Sequence, residues 1–191
     1  MQVKAQGLLN AARYLEDTYG RDALASVLRA TSPAVRDTYT SAIAINWHPV
    51  AELCELVDVA EAQLGNKSGK VARAIGAAGA RANLKGVMLR VALYVTKPAF
   101  LMARIAGMWR QFNDEGSMEL LEMSLEHATI EVRGIKEPLA TLCQILTGWV
   151  EAVTQTLGAE VIVVQHTECR ARGDARCIWE VKGRLSPPET P

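Results

Sequence analysis

The segment HTECRARGDARC, residues 166–177, constrains the fold of this chain more than any other stretch. It joins two runs with the composition of β-strands, AEVIVVQHTEC and ARCIWEVKG, and the Gly-Asp pair between them is a typical turn signal. It also contains two of the four cysteines and one of the three histidines. We therefore expect an antiparallel hairpin that brings Cys169 close to Cys177.

Helical periodicity dominates the first two-thirds of the chain. Apolar residues recur there every three or four positions, and glycine or proline marks several of the predicted ends, as at Gly20, Pro33 and Gly65. The predicted helices are residues 8–19, 22–30, 50–64, 69–86, 87–95 and 98–112.

The pattern changes after the NDEGS turn. Ala128, Ile130 and Val132 alternate with polar residues, which predicts a strand paired with the stretch just before it across LEHA. Residues 137–158 then form an amphipathic helix, and the hairpin follows. The order of helices, strand pair, helix and strand pair is typical of an α+β domain, with N-terminal helices packed on an antiparallel sheet that ends in a cysteine-bearing hairpin.

The helix over residues 69–86 is rich in alanine and glycine. Its small residues are expected to let another helix approach closely, either inside the domain or across a dimer. The glycines at 76 and 79 lack the strand-then-helix setting of a dinucleotide loop, so phosphate binding is disfavoured. The small residues expected at the contact are Ala74, Ala77, Ala78 and Ala82.

Composition limits the function classes. Basic and acidic residues both number 21, without the basic excess that phosphate contacts with nucleic acid require. The N-terminus does not resemble a signal peptide, and no apolar run is long enough to span a membrane. We expect a cytoplasmic protein with reduced thiols, one domain over residues 1–185 and a disordered, proline-rich tail over residues 186–191.

The clustered cysteines then favour metal or redox chemistry over disulfides. His166 ends the first strand of the hairpin and faces the same point as Cys169 and Cys177, while Cys143 lies on the inward flank of the preceding helix. Three sulfurs and one imidazole suit tetrahedral zinc. The alternative is that Cys143 and Cys177 are buried as small apolar residues, with His166 and Cys169 on the surface. Cys54, in a helical stripe, is expected in the core.

The sequence HTECRARGDARCIWEV resembles the C-terminal signature of the vinyl-reductase-like domain. That domain occurs in bacteriochlorophyll biosynthesis proteins and in the sensor modules of aromatic-responsive transcriptional activators. It shares its fold with haem nitric-oxide-binding domains and with the Bet-type subunits of the TRAPP vesicle-tethering complex. The whole chain, including YLEDTYG, INWHPVAELCELV and IGAAGARANLKGV, is still more similar to a bacterial family of about this length that ends in the same signature.

The resemblance implies a zinc site. In the phenol-sensing members, the zinc ligands are a helix cysteine, a glutamate and two hairpin cysteines. The cysteines fall on Cys143, Cys169 and Cys177, and the glutamate falls on His166, a departure that keeps a zinc ligand in place. Four protein ligands leave no open position, so the zinc is expected to be structural.

The resemblance also implies a small-molecule sensor that holds an apolar ligand between helices and sheet and acts through a partner protein. Tyr94, Trp109, Phe112 and Trp149 are expected to line the pocket, although any one of them equally suits an ordinary core. The alternative is a TRAPP-like dimeric scaffold without a specific small ligand. A homodimer through the N-terminal helices is expected in either case.

An enzymatic function is not expected. His48 and His127, the remaining histidines, lie in no recognisable nucleophile motif, and the sequence contains no GxSxG, HExxH or P-loop. His48 is expected to precede or cap a helix. A haem in this superfold would need His48 or His127 as its axial ligand, and neither is clearly on a helix beside an apolar pocket.

Overall fold

The computed structural model describes residues 1–84, 108–124, 126–156 and 160–184. The predicted helix over 87–95, most of the one over 98–112 and the tail over 186–191 lie outside these ranges, although residues 108–112 are helical. The helices and strands are β1 (Gln2–Lys4), α1 (Gln6–Tyr19), α2 (Arg21–Ala30), α3 (Pro33–Ser41), β2 (Trp47–Pro49), α4 (Val50–Leu64), α5 (Lys70–Asn83), β3 (Ser117–Met123), β4 (His127–Arg133), α6 (Ala140–Thr156), β5 (Glu160–Glu168) and β6 (Cys177–Arg184).

The predicted α+β class is confirmed. Helices α1 to α5 precede a four-stranded antiparallel sheet of order β3-β4-β6-β5, and α6 lies between the two strand pairs in the chain. In the described ranges no helix is both apolar enough and long enough to cross a lipid bilayer. The extent of the domain, residues 1–185, stays a prediction.

The N-terminal helices follow the predicted periodicity with two differences. Helix α1 buries Leu8 and Leu15 and ends at Gly20, whose φ of 88° favours glycine, but Tyr19 is 39% exposed rather than part of the core. Helix α3 was not predicted, because Pro33 was interpreted only as a stop for α2. Proline is also favoured in the first helical turn, and Pro33 begins α3.

The sheet places one face of each strand against the core. In β4, the alternating residues Ala128, Ile130 and Val132 are all buried, as predicted. Their partners across β6 are Val181, Trp179 and Cys177, which are buried as well. The β5–β6 hairpin therefore presents a cysteine and a tryptophan to the side of the sheet that α6 covers.

Helices α5 and α6 cross in direct backbone contact. A Cβ atom added to Gly76 would lie 1.8 Å from the carbonyl oxygen of Ile145, and one added to Gly148 would lie 1.8 Å from that of Arg73. The predicted tight packing inside the domain is thus confirmed, and Ala77 packs against the core as expected, but the closest contact was not predicted. Gly76 forms the contact, and Ala82, which was expected there, is exposed.

Candidate metal centre and apolar cavity

Four side chains from α6 and the hairpin converge on one point. One ligand atom each from Cys143, His166, Cys169 and Cys177 lies within 4.8 Å of every other. The three cysteines are buried free thiols. The interpretation of His166 and Cys169 as surface residues is therefore wrong, because Cys169 is 3% exposed and the Nε2 atom of His166 is buried.

The turn of the hairpin holds Cys169 by its backbone. A short 3-10 turn, Arg170–Arg172, follows it, and Gly173 has a φ of 98°, which favours glycine. The backbone N–H of Cys169 donates to the Asp174 carboxylate at 2.6 Å, while its carbonyl oxygen accepts from the N–H groups of Arg172 and Asp174. The Gly-Asp pair thus does more than reverse the chain, because Asp174 fixes the first hairpin cysteine.

The ring of His166 is fixed by packing. It stacks on the indole of Trp179, with ring centroids 4.2 Å apart and an interplanar angle of 5°. Its Nε2 atom finds no hydrogen-bond partner among the residues that the structure describes. A buried polar atom without a partner normally costs free energy, so this orientation needs a reason beyond packing.

The distances suit a tetrahedral centre. With zinc–sulfur bonds of about 2.3 Å, two ligand sulfurs at the corners of a tetrahedron are about 3.8 Å apart. The Sγ atoms of Cys143 and Cys169 are 3.8 Å apart. The backbone N–H of Arg170 points at the Sγ of Cys177 from 3.4 Å, a donor that stabilises a thiolate.

Burial controls the protonation of these groups. Burial, followed by the nearby Arg172 guanidinium, lowers the pKa of His166 to about 4 against an opposing effect of Asp174, so the imidazole is neutral at neutral pH. Burial raises the pKa of Cys143 well above its usual range, with additional contributions from Cys177 and Cys169, and burial also raises the pKa of Cys177. A bound divalent cation reverses this preference, because it attracts the thiolate form.

Cys54 is separate from this cluster. It is 5% exposed on the core side of α4, and burial raises its pKa to about 12. Its predicted place in the core is confirmed.

A cavity of about 120 Å³ lies on another side of α6. Trp109, Phe112 and Trp149 line it, and their role in holding a ligand stays a prediction, whereas Tyr94 lies outside the described residues. The pocket was expected between helices and sheet. Instead, the described part of its wall comes mainly from helices, and the large sheet contributes Met118.

The polar part of the cavity wall was not predicted from the sequence. Gln6 and Asn10 on α1 and Asn83 at the end of α5 line it, together with Gly79. The spacing of Gln6 and Asn10, four residues apart beside the apolar stripe of α1, is the one signal that points to them. Asn83 has no comparable signal.

The fold is that of known H-NOX proteins. The chain is similar to an Fe(II) unliganded H-NOX protein mutant from K. algicida, with a TM-score of 0.70, 9% identity and coverage of 95% of this chain and 96% of that one. An S. oneidensis H-NOX mutant gives a TM-score of 0.67, 13% identity and the same coverage of both chains. This likeness supports the haem nitric-oxide-binding superfold that the resemblance implied. It is a likeness of fold alone.

The sequence itself gives no further assignment. No protein-family profile matches it. No curated protein matches it either.

The described part of the cavity wall contains neither a histidine nor a cysteine that could be the axial ligand of a haem. Histidine and cysteine are common axial ligands of haem iron. All three histidines and all four cysteines lie in the described ranges, and none of them lines the cavity. His48 instead lies in β2, one residue before the Pro49 that caps α4, with its Nδ1 atom 3.1 Å from the Thr38 hydroxyl, and His127 begins β4.

Proposed function

We propose that this protein is a small-molecule-binding module of the vinyl-reductase-like type, in which a structural zinc joins the hairpin to α6. One observation carries the proposal: Leu142 and Leu146 on α6 line the apolar cavity and also the small space beside the cysteine cluster. A ligand in the cavity and a metal at the cluster therefore contact the same helix, on which Cys143 follows Leu142.

Zinc is the metal that the donor set favours. Three thiolates and one neutral imidazole form a tetrahedral set for zinc, and softer or harder ions prefer other combinations. The Sγ–Sγ distance and the buried Nε2 atom of His166 support this choice. Since Cys143, His166, Cys169 and Cys177 occupy all four positions, the zinc stabilises the fold and takes no part in catalysis.

The cavity supports the ligand-binding half of the proposal. It is small and mainly apolar, and the H-NOX-like fold is compatible with a sensor that passes its state to a partner protein. The homodimer, the partner protein, the cytoplasmic location and the lack of enzymatic activity stay predictions. Light scattering that showed a monomer at micromolar concentration would contradict the homodimer.

Elemental analysis tests the zinc. Protein purified without a histidine tag should contain about one zinc per chain, since four ligands close one site. His166→Glu should retain the metal because it restores the ligand set of the phenol-sensing relatives, whereas His166→Ala should weaken binding. A folded, metal-free protein in both the reduced and the zinc-treated state would contradict the proposal.

Native mass spectrometry tests the ligand. A co-purifying organic molecule that is released on unfolding would support the binding module. A tight dimer whose cavity takes up no small molecule would favour the alternative, a TRAPP-like scaffold.

A further inference from the structure

An exposed apolar surface lies between the end of α3 and the start of β2. In the part of the chain that the structure describes, six large apolar side chains are exposed, and three of them fall within five consecutive positions. Ile43 is 64% exposed, Ile45 72% and Trp47 40%. Single exposed apolar residues are normal, whereas a group of them indicates contact with another molecule. We call residues 43–47 the Ile-Trp loop.

The backbone of the Ile-Trp loop is tied to the start of the chain. The carbonyl oxygens of residues 43–46 all accept a hydrogen bond, over distances of 2.6–3.0 Å. The donors are the ammonium group of Lys4 and the backbone N–H groups of Ala5, Gln6 and Asn46. The exposed isoleucines are therefore carried on a backbone that four hydrogen bonds hold in place.

The loop presents donors rather than acceptors to its surroundings. Its N–H groups at Ile43, Ala44 and Ile45 meet no acceptor among the residues that the structure describes, whereas the carbonyl oxygens are already occupied. Such a segment loses little on leaving water if the new surroundings supply acceptor atoms. The phosphate and ester oxygens of phospholipids are acceptors of this kind.

The charge in direct contact with the loop is positive. The Nζ atom of Lys4 lies 3.8 Å from the ring centroid of Trp47. Residues 42–49 include no acidic side chain. The nearest acidic residues along the chain are Asp37, which is exposed on α3, and Glu52, which accepts a hydrogen bond within the protein. A cation beside an apolar loop suits a surface with anionic headgroups.

The size of the patch favours a lipid surface over a second protein. A stable protein interface uses about 20–30 residues on each side, and it requires a partner of matching shape. Three apolar side chains and one lysine supply a small part of such an area. A bilayer needs no matching shape, and tryptophan and lysine are residues that lie at the level of its headgroups.

We propose that the Ile-Trp loop and Lys4 form a peripheral binding site for a bilayer that contains anionic phospholipids. Ile43 and Ile45 enter the region where the acyl chains begin, Trp47 lies among the headgroups, and the ammonium group of Lys4 contacts a phosphate. This proposal goes beyond the proposed function, because it involves neither the zinc nor a ligand in the cavity.

The test is co-sedimentation of the purified full-length protein with vesicles of equimolar phosphatidylcholine and phosphatidylglycerol. The protein should bind them, and Ile45→Ser should weaken binding by about tenfold or more because it removes one inserted apolar side chain. Ile43→Ser repeats the test if Ile45→Ser lowers the Tm. Leu121→Ser, at an exposed leucine on β3, is the matched control and should leave the binding unchanged.

A charge variant tests the anionic part of the proposal. Lys4→Gln keeps a donor for the carbonyl oxygen of Ile45 but removes the charge, so it should weaken binding to the mixed vesicles by about fivefold. The weaker binding to vesicles of phosphatidylcholine alone should stay the same. Lys4→Arg retains the charge and should bind the mixed vesicles as the parent protein does.

Tryptophan fluorescence tests the position of the loop in the bilayer. Phosphatidylcholine with brominated acyl chains should quench the fluorescence of the bound protein. Trp47 is the most exposed of the four tryptophans, and Trp109 and Trp179 are buried. Trp47→Phe should therefore remove most of the quenching while the protein still binds.

Three outcomes would overturn the proposal. The first is a folded protein that sediments with neither type of vesicle. The second is an equal loss of binding in Leu121→Ser and Ile45→Ser, which would show nonspecific adhesion. The third is a fall in mass on light scattering of Ile45→Ser without vesicle binding by the parent protein, which would assign the loop to a contact between two copies. None of these outcomes bears on the zinc content or on ligand retention, so the proposed function stands or fails separately.

Discussion

Helix α6 is attached to the rest of the protein by two junctions of opposite chemistry. At the crossing with α5, Gly148 lets the backbone of α6 pack directly against the backbone of α5. Against the hairpin, Cys143 meets Cys169, Cys177 and the buried Nε2 atom of His166, so the contact consists of donor atoms aimed at a common point.

The two junctions should therefore fail in opposite ways. The crossing with α5 depends on the lack of a side chain, so adding one methyl group should break it. In the proposed function, the junction with the hairpin depends on a cation that the donor atoms hold, so removing one sulfur should break it. The following predictions test this difference.

The largest effect is expected for Cys169→Ala. The variant removes one of four proposed zinc ligands, and a metal that binds the folded chain alone contributes its binding free energy to stability. The free energy of unfolding should fall by about 4 kcal/mol, the contribution of a ligand at about a thousandfold excess over its dissociation constant. Metal analysis and chemical denaturation measure the two losses.

Cys54→Ala is the matched control for this substitution. Cys54 is also a buried free thiol, but it lies on α4 apart from the cluster. Its loss should leave the zinc content unchanged and cost about 1 kcal/mol, because only a small apolar volume is removed. Equal metal loss in both variants would mean that the metal does not bind at the cluster.

The second effect concerns Gly148→Ala at the crossing of α5 and α6. The new Cβ atom would overlap the carbonyl oxygen of Arg73, and overpacking of this kind costs about 3 kcal/mol. Alanine recovers about 1 kcal/mol of helix propensity, so a net loss of about 2 kcal/mol is expected in urea denaturation. The zinc content should stay the same, since the cluster is on another side of α6.

Gly79→Ala, on α5, should change the stability in the opposite direction to Gly148→Ala. Alanine again has a higher helix propensity than glycine, and its Cβ atom would meet no other atom within 4 Å. The free energy of unfolding should therefore rise by up to about 1 kcal/mol. If Gly148→Ala were as stable as Gly79→Ala, the backbone contact would not be a constraint on the crossing.

These junctions also show what the sequence can reveal. The cluster was predictable because each ligand has a local signal: Cys143 lies on a flank of an amphipathic helix, and the Gly-Asp turn reverses the chain between Cys169 and Cys177. The position of His166 beside the cysteines followed from the direction of the strand and from the resemblance. Local patterns are sufficient where a site is built within one hairpin and the helix before it.

The helix crossing was predictable in kind but not in position. Alanine and glycine occur on every side of α5, so its small residues do not indicate which face meets α6. Gly76 matters because it has no Cβ atom where α6 approaches. The sequence of α5 alone does not show this, because it does not give the position of α6. The same limit applies to the polar part of the cavity wall, because Gln6 and Asn83 meet across 77 positions of the chain.

The third loss, smaller than those of Cys169→Ala and Gly148→Ala, tests whether a neutral hydrogen bond also joins α6 to the hairpin. The Nε1–H of Trp179, which is fully buried, donates to the Thr147 hydroxyl over 2.9 Å, and that hydroxyl donates to the carbonyl oxygen of Cys143. Thr147→Val keeps the shape but leaves the indole N–H without its acceptor, so we expect a loss of about 1.5 kcal/mol in denaturation followed by tryptophan fluorescence. Thr147→Ser retains the hydroxyl and should recover most of this loss. Both variants should keep a full zinc content, because neither removes a ligand. If Thr147→Val released the metal as Cys169→Ala is expected to do, the cluster would depend on this hydrogen bond, and the hairpin junction would not be held by the metal alone.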